Sequence, residues 1–359
     1  MNTKQHFESF DALRFVSFLV VFFSHLPYNK FNKLLFFQLD GTIGVNFFFI
    51  LSGFLITYIL LFEKKINGTI NLKQFFIKRT LRIWPLYFAV VLFAFFSSFL
   101  IKIIGLPTSD VGYYPNWIMS CLFLENYMVI YHNCFANVSP IPVTWSLCIE
   151  EHFYIIWGIF LYFTKIKRVV PLIIMLIIVG FISRFIFAQN NWLFKDIFTN
   201  IDYFMYGAIP AYLYVNNTKK FNDYVLAIPK TIKTLVILFS VFLIFVTSHY
   251  GFEYSNLIEP IAYGIIFTSV LIIFIPLNND FKISSRFLFS KLGKYTYSLY
   301  LTHIIVINFY IQLFLKANWS FEKNYFLFIV LAILTTILTS FLSYQIIELP
   351  FLKLKNYFK

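Results

Sequence analysis

An all-helical bundle threaded through a membrane is the fold class that this sequence predicts, and three observations predict it. Of the 359 residues, 60% are hydrophobic and only 13% are charged, against about a quarter charged in soluble domains. The mean hydropathy is +0.76. Apolar stretches recur along the whole chain at lengths that suit a hydrocarbon core of about 30 Å. No connection between them is long enough to bury a core of its own, so residues 1–359 read as one membrane domain. A polytopic bundle of about ten spans, with both termini cytoplasmic, is the expectation.

The first span is expected near 10–28, in FDALRFVSFLVVFFSHLPY. Mixed charges precede it and no small-residue cleavage site follows, so it reads as a retained helix rather than a signal peptide. The second lies near 41–62, and the third near 83–104, directly after a basic run. The longest connection follows, about 105–143, with an interfacial or re-entrant helix over 117–131. Spans near 144–163, 169–188, 197–215, 231–249, 255–276, 295–316 and 325–348 complete the series.

Orientation comes from the basic residues. With the N-terminus inside, connections near 63–82, 164–168, 217–233 and 279–294 and the tail 353–359 hold most of the 29 Lys and Arg. The outer side keeps Lys30, Lys33, Lys102, Lys195, Lys316 and Lys323. This is the positive-inside asymmetry. It also accounts for the net charge of +13 without invoking nucleic acid. Cys121 and Cys134 share the outer connection, where a disulfide is open to them. Cys148 falls in the fourth span as an apolar filler, and the cysteine spacing offers no metal site.

Polar residues inside the spans point to function, because an ionisable group at the bilayer centre costs about 2.5–3.5 kcal/mol on insertion scales. Arg14 and His25 are separated by three helical turns, so they share a face and stand roughly 16 Å apart along the axis. Counting 1.5 Å per residue puts His25, Glu150, Glu151, Arg184 and Asp202 at one level in the outer half of the membrane. Ser52, Tyr300 and His303 lie nearer the midplane. Arg79 and Arg82, one turn apart, mark the inner mouth, with Glu348 available to pair with one of them. Imidazole oriented by a carboxylate is suited to take a proton from a hydroxyl. The same groups also suit a transporter's proton relay, so the residues alone leave enzyme and transporter both open.

Six segments in register resemble one family. FDALRFVSFLVVFFSH carries a basic residue and a His eleven positions beyond it, with ten residues between, as Arg14 and His25. GVNFFFILSGFLIT surrounds Ser52, and KRTLRIWPLYF holds Arg79, Arg82 and Pro85. TWSLCIEEHFY supplies Trp145, Ser146, Glu150, Glu151 and Tyr154. LGKYTYSLYLTH supplies Ser298, Tyr300 and His303, and IIELPF closes with Glu348 and Pro350. Together they resemble the membrane-bound acyltransferase family 3, the O-acyltransferases of bacterial surface polysaccharides.

The resemblance implies a multi-pass enzyme of the bacterial cytoplasmic membrane, in contact with membrane lipid. Its donor substrate would be acetyl-CoA or another acyl-CoA, with no permanently bound cofactor. Its acceptor would be a carbohydrate such as O-antigen, capsule or exopolysaccharide, with no nucleic-acid partner. His25 with Glu150 or Glu151 would act as base or acyl carrier, and Arg14, Arg79 and Arg82 would hold the donor. Ser52, Trp145, Ser146, Tyr300, His303, Arg184 and Asp202 are candidates for substrate or transition-state contacts. Direct transfer and an acyl-enzyme both remain open, as does the choice of glutamate, since the two point about 100° apart on a helix. Relatives with an appended esterase-like domain exist, and none is expected here. The alternative function is a secondary transporter or flippase for a glycan or lipid-linked sugar, which predicts repeated halves that the sequence does not display.

Overall fold

The computed structural model describes residues 5–27, 39–104, 111–250 and 255–358. The helices are α1 (Ser9–Ser24), α2 (Gly41–Asn67), α3 (Leu72–Ile104), α4 (Trp117–Cys121), α5 (Glu125–His132), α6 (Trp145–Phe163), α7 (Val169–Gln189) and α8 (Ile201–Asn216). They continue as α9 (Thr218–Ala227), α10 (Lys230–His249), α11 (Ser255–Ile273), α12 (Leu288–Gly293), α13 (Thr296–Lys316), α14 (Phe321–Ser343) and α15 (Leu349–Leu354). A π-helical turn, Tyr344–Glu348, joins the last two. Among the described residues the β-structure amounts to one isolated bridge, between Tyr113 and Ala136.

Eight helical stretches among the described residues are long and apolar enough to cross a membrane. They coincide with the expected spans except near 10–28 and 197–215, where α1 and α8 have 16 residues each. At 1.5 Å per residue each covers about 24 Å, short of the hydrocarbon thickness. The end of the first expected span falls outside the described residues, as do Lys30 and Lys33 of the outer charge count. The third helix begins at Leu72 rather than near 83. Its basic first turns lower the hydropathy without lowering helix propensity, since Lys, Arg, Gln and Leu are all good helix formers. The single helix expected over 117–131 is two short ones, α4 and α5. Between them Phe123 takes a φ of 58°, the left-handed conformation that ends a helix. All three cysteines are free thiols, so Cys121 and Cys134 form no disulfide.

The chain divides into two compact units, with boundaries that fall inside α1 and α6 and after the first residue of α3. The first comprises Met1–Val21, Leu39–Leu72 and His152–Lys294. At its centre α2 and α8 meet backbone to backbone. A Cβ on Gly53 would strike the backbone of Phe204, and one on Gly207 would strike Ile50 and Phe54. Phe204 is flanked by the rings of Phe49 and Phe153, with centroids 4.7 and 4.0 Å away. Trp157 Nε1 donates to Thr57 Oγ1 at 2.8 Å. Lysines at the end of α2 cap two neighbouring helix termini. Lys64 Nζ donates to the carbonyls of Leu161, Tyr162 and Thr164 at 2.6–2.8 Å. Lys65 Nζ donates to those of Val215 and Asn216 at 2.6 and 3.1 Å. Basic residues read from sequence as topology markers thus also satisfy last-turn carbonyls that lack helical partners.

The second unit comprises Phe22–Gln38, Lys73–Glu151 and Tyr295–Lys359. Here α13 packs on α14 through hydroxyl pairs, Thr302 with Ser340 at 3.0 Å and Tyr310 with Thr335 at 2.8 Å. The α4–α5 segment is tied to α3: Tyr87 stacks on Phe123, centroids 4.0 Å apart, and its hydroxyl donates to the Ser120 carbonyl at 2.7 Å. Glu125 is wholly buried beneath this segment. It accepts hydrogen bonds from the Tyr113 and Ser120 hydroxyls. Burial pushes its carboxyl above the ordinary value, and those hydrogen bonds pull it partly back.

Candidate active site

His25 follows the last residue of α1 and meets α13 inside the second unit. Its Nδ1 lies 3.5 Å from Nε2 of His303, and the two rings make a T-shaped pair with centroids 5.0 Å apart. His303 is completely buried. Its Nδ1 sits 2.6 Å from the carbonyl oxygen of Tyr300, one helical turn earlier. A carbonyl only accepts, so His303 Nδ1 carries the hydrogen. The hydroxyl of Ser24 is 3.4 Å from His25 Nδ1 and can donate or accept.

The side chain of Tyr300 reaches the other way, to the start of α6. Its hydroxyl is 2.6 Å from Ser146 Oγ, and both hydroxyls approach the Val143 carbonyl, at 3.2 and 3.3 Å. Two hydroxyl hydrogens serve that pair and that carbonyl, so Ser146 and Tyr300 clamp α13 to α6. Trp145, the first residue of α6, is buried beside them in the chain.

The two glutamates separate as their 100° offset demands. Glu150 is within electrostatic reach of the Tyr300 hydroxyl. Glu151 faces α3, where its Oε2 accepts from Trp84 Nε1 at 3.2 Å. Its Oε1 is buried without a hydrogen-bond partner among the described residues. Arg79 lies within electrostatic reach of the same carboxylate. A buried carboxyl oxygen without a hydrogen-bond partner is costly.

Arg79 belongs to a cluster of four cations. Lys78, Arg79 and Arg82 at the start of α3 share electrostatic reach with Lys355 beyond α15, and Glu348 is the carboxylate among them. Glu348 accepts from the Ser298 hydroxyl and stands near Arg82. It occupies the π turn, a feature that often marks functional positions in helices. The Arg79 guanidinium also rests over the Phe75 ring, 5.7 Å from its centroid. Planar guanidinium forks backed by a lysine suit phosphate.

Four of the residues expected at the site belong to the first unit. Arg14 Nη1 donates to Asp11 Oδ1 at 2.8 Å on its own helix. Ser52 is half-buried on α2, next to the Gly53 contact. Arg184 and Asp202 are bonded to each other, with side chains 3% and 2% exposed. The guanidinium carbon of Arg184 lies 5.3 Å over the Tyr203 ring, and the Tyr203 hydroxyl accepts from Asn46 Nδ2 at 3.0 Å. The pair therefore joins α7 to α8. Two residues of the site, Trp84 and Lys355, are absent from the sequence-based expectation. Trp84 stands between Arg82 and Pro85 in KRTLRIWPLYF, but its partner Glu151 is 67 positions away, so the sequence gives no local signal for the contact. Lys355 carries no signal either, because in the sequence it is one more positive charge of a basic tail.

Residues 7–345 match the acyltransferase domain family. Over 165 residues the chain is 34% identical to the peptidoglycan O-acetyltransferase OatA of Listeria monocytogenes, covering 44% of this chain and 25% of that protein. It is 28% identical over 361 residues to a putative O-acetyltransferase of Staphylococcus aureus, covering 96% of this chain and 57% of the relative. The putative peptidoglycan O-acetyltransferase YrhL of Bacillus subtilis is 34% identical over 157 residues, 42% of this chain and 23% of YrhL. The chain thus spans little more than half of the staphylococcal relative and about a quarter of each of the other two. No solved structure matches it. Matched from the segment before α1 into the π turn, the chain belongs to the acyltransferase 3 family.

Proposed function

We propose that this protein is a multi-pass O-acyltransferase of the bacterial cytoplasmic membrane. It moves an acyl group, acetyl by default, from acyl-CoA to a hydroxyl of a cell-surface or lipid-linked carbohydrate. One observation carries the reading: within the second unit a run of polar groups leads from cations suited to phosphate to a pair of imidazoles. It passes from Arg82, Arg79 and Lys355 through Glu151 and Glu150 to Tyr300, His303 and His25. The cations would hold the phosphates of the donor. The names of the relatives favour a carbohydrate acceptor, peptidoglycan among the choices.

His25 serves either route. In direct transfer, its ring takes the proton as the sugar oxygen bonds to the thioester carbon. The C–S bond then breaks, and the departing CoA thiolate recovers that proton from the imidazolium. In the two-step route the His25 nitrogen bonds to the thioester carbon, the C–S bond breaks, and the CoA thiolate takes the ring's N–H proton. The sugar oxygen then bonds to the acyl carbon, the C–N bond breaks, and the hydroxyl proton returns to the imidazole. Glu150, within electrostatic reach of Tyr300, would steady developing positive charge on that side. Glu151, facing Trp84 and Arg79, would lie on the donor's side. The test is the alkali-labile O-acetyl content of cell-surface polysaccharide from cells expressing the wild type or His25→Ala. Ester on the glycan that depends on His25 supports the reading, and equal ester in both strains overturns it.

A further inference from the structure

We propose that His303 is a positioning residue that sets the tautomer of His25, so that Nε2 of His25 is the nitrogen that reacts. The inference rests on the acyl-transfer reading above and deepens it, because that reading leaves open which group orients His25. The geometry answers with another imidazole. His303 Nδ1 must donate to the Tyr300 carbonyl at 2.6 Å, since the carbonyl has no hydrogen to offer. In the neutral ring this leaves Nε2 of His303 as an acceptor. The atom facing it, 3.5 Å away, is Nδ1 of His25, which therefore carries the hydrogen. Nε2 of His25 then holds the lone pair. Ser24, which can donate or accept at the same Nδ1, is compatible with this state.

The arrangement has the logic of a catalytic triad with a different third member. In the familiar triad a carboxylate accepts from the histidine Nδ1–H and holds the productive tautomer. Here a buried imidazole does so, and it is itself held by the Tyr300 carbonyl on its own helix. Tyr300 is fixed in turn by Ser146 on α6. When Nε2 of His25 takes the hydroxyl proton, the Nδ1–H bond to His303 strengthens, and the same bond relaxes when the proton passes to the CoA thiolate.

The decisive experiment is 15N NMR on histidine-labelled protein in nanodiscs, where six histidines give few signals to assign. His25→Gln and His303→Gln identify the two rings. A neutral His25 with a protonated Nδ1 and a pyridine-type Nε2 is expected, and a His25 protonated on Nε2 overturns the proposal. This readout needs no turnover, so it stands even where acyl transfer fails. Kinetics add an independent readout. His303→Phe should lower kcat roughly 10²-fold with little change in the donor KM. His303→Gln, whose amide oxygen can accept the same bond, should restore most of that loss. A wild-type kcat in His303→Phe, or no difference between the two variants, refutes the positioning role while leaving His25 in the chemistry. A wild type that transfers nothing from any acyl-CoA refutes the enzyme reading instead.

Discussion

Asp202→Ala separates a structural ion pair from a catalytic one. Arg184 and Asp202 are almost fully removed from solvent, and among the described residues Arg184 Nη1 lacks a hydrogen-bond partner even with the pair intact. Deleting the carboxylate strands the guanidinium in a low-dielectric interior. Breaking such a pair costs about 3–5 kcal/mol in soluble proteins, and insertion scales price a lone Arg at about 2.5–3.5 kcal/mol. Both point to about 3 kcal/mol, roughly a 100-fold shift toward unfolded protein. Replacing both partners with apolar residues of similar volume, Arg184→Met with Asp202→Leu, removes the stranded charge and should recover most of the loss. Thermal unfolding in detergent, followed by size-exclusion chromatography with fluorescence detection, measures both variants. The double variant should also retain acyl transfer per folded molecule. A double variant that is stable yet inactive would refute the structural assignment and return the pair to the substrate site.

Three more outcomes follow from the packing and the charges. Gly207→Leu should abolish a monodisperse folded peak, because any Cβ there meets the backbone of Ile50 and Phe54, and the cost exceeds the usual 1–3 kcal/mol or so of overpacking. Arg82→Gln should raise the acyl-CoA KM about tenfold with kcat nearly unchanged, and the effect should shrink as salt rises, as expected of an exposed phosphate contact; an unchanged KM would remove Arg82 from donor binding. Burial raises the Glu125 carboxyl, so its contribution to stability is full below the ordinary carboxylate value of about 4.3 and is lost as pH climbs through the raised value. Glu125→Gln should flatten that decline in thermal unfolding across pH, and an identical decline in the variant would show that another group causes it.

The spans were legible because lipid demands long apolar runs, and the composition supplied them. What the sequence hid was length and pairing. Helices α1 and α8 read as full spans, since hydropathy windows do not register where a backbone leaves the helix. In the 117–131 segment one residue, Phe123, breaks the helix, and a phenylalanine carries no local signal for a left-handed turn. The site residues were legible as expensive polar groups inside apolar helices. Their partners were not, because helical periodicity says which face a residue takes and nothing about which helix it meets. Arg184 and Asp202 stand level with His25 by residue count, yet they close on each other. His25 and His303 are 278 positions apart, a contact that only tertiary structure reveals. Glu150 and Glu151, offset by about 100° on one helix, have different neighbours, Tyr300 for one and Trp84 for the other, and the sequence names neither neighbour.

The central claim is that His25 carries an acyl group, or the proton of its transfer, from CoA to a sugar hydroxyl. Purified protein in proteoliposomes with radiolabelled acetyl-CoA and a glycan acceptor, wild type beside His25→Ala, tests it most directly. Label on the glycan or on the wild-type protein, and none with the variant, is the predicted result. Equal labelling by both proteins would contradict it.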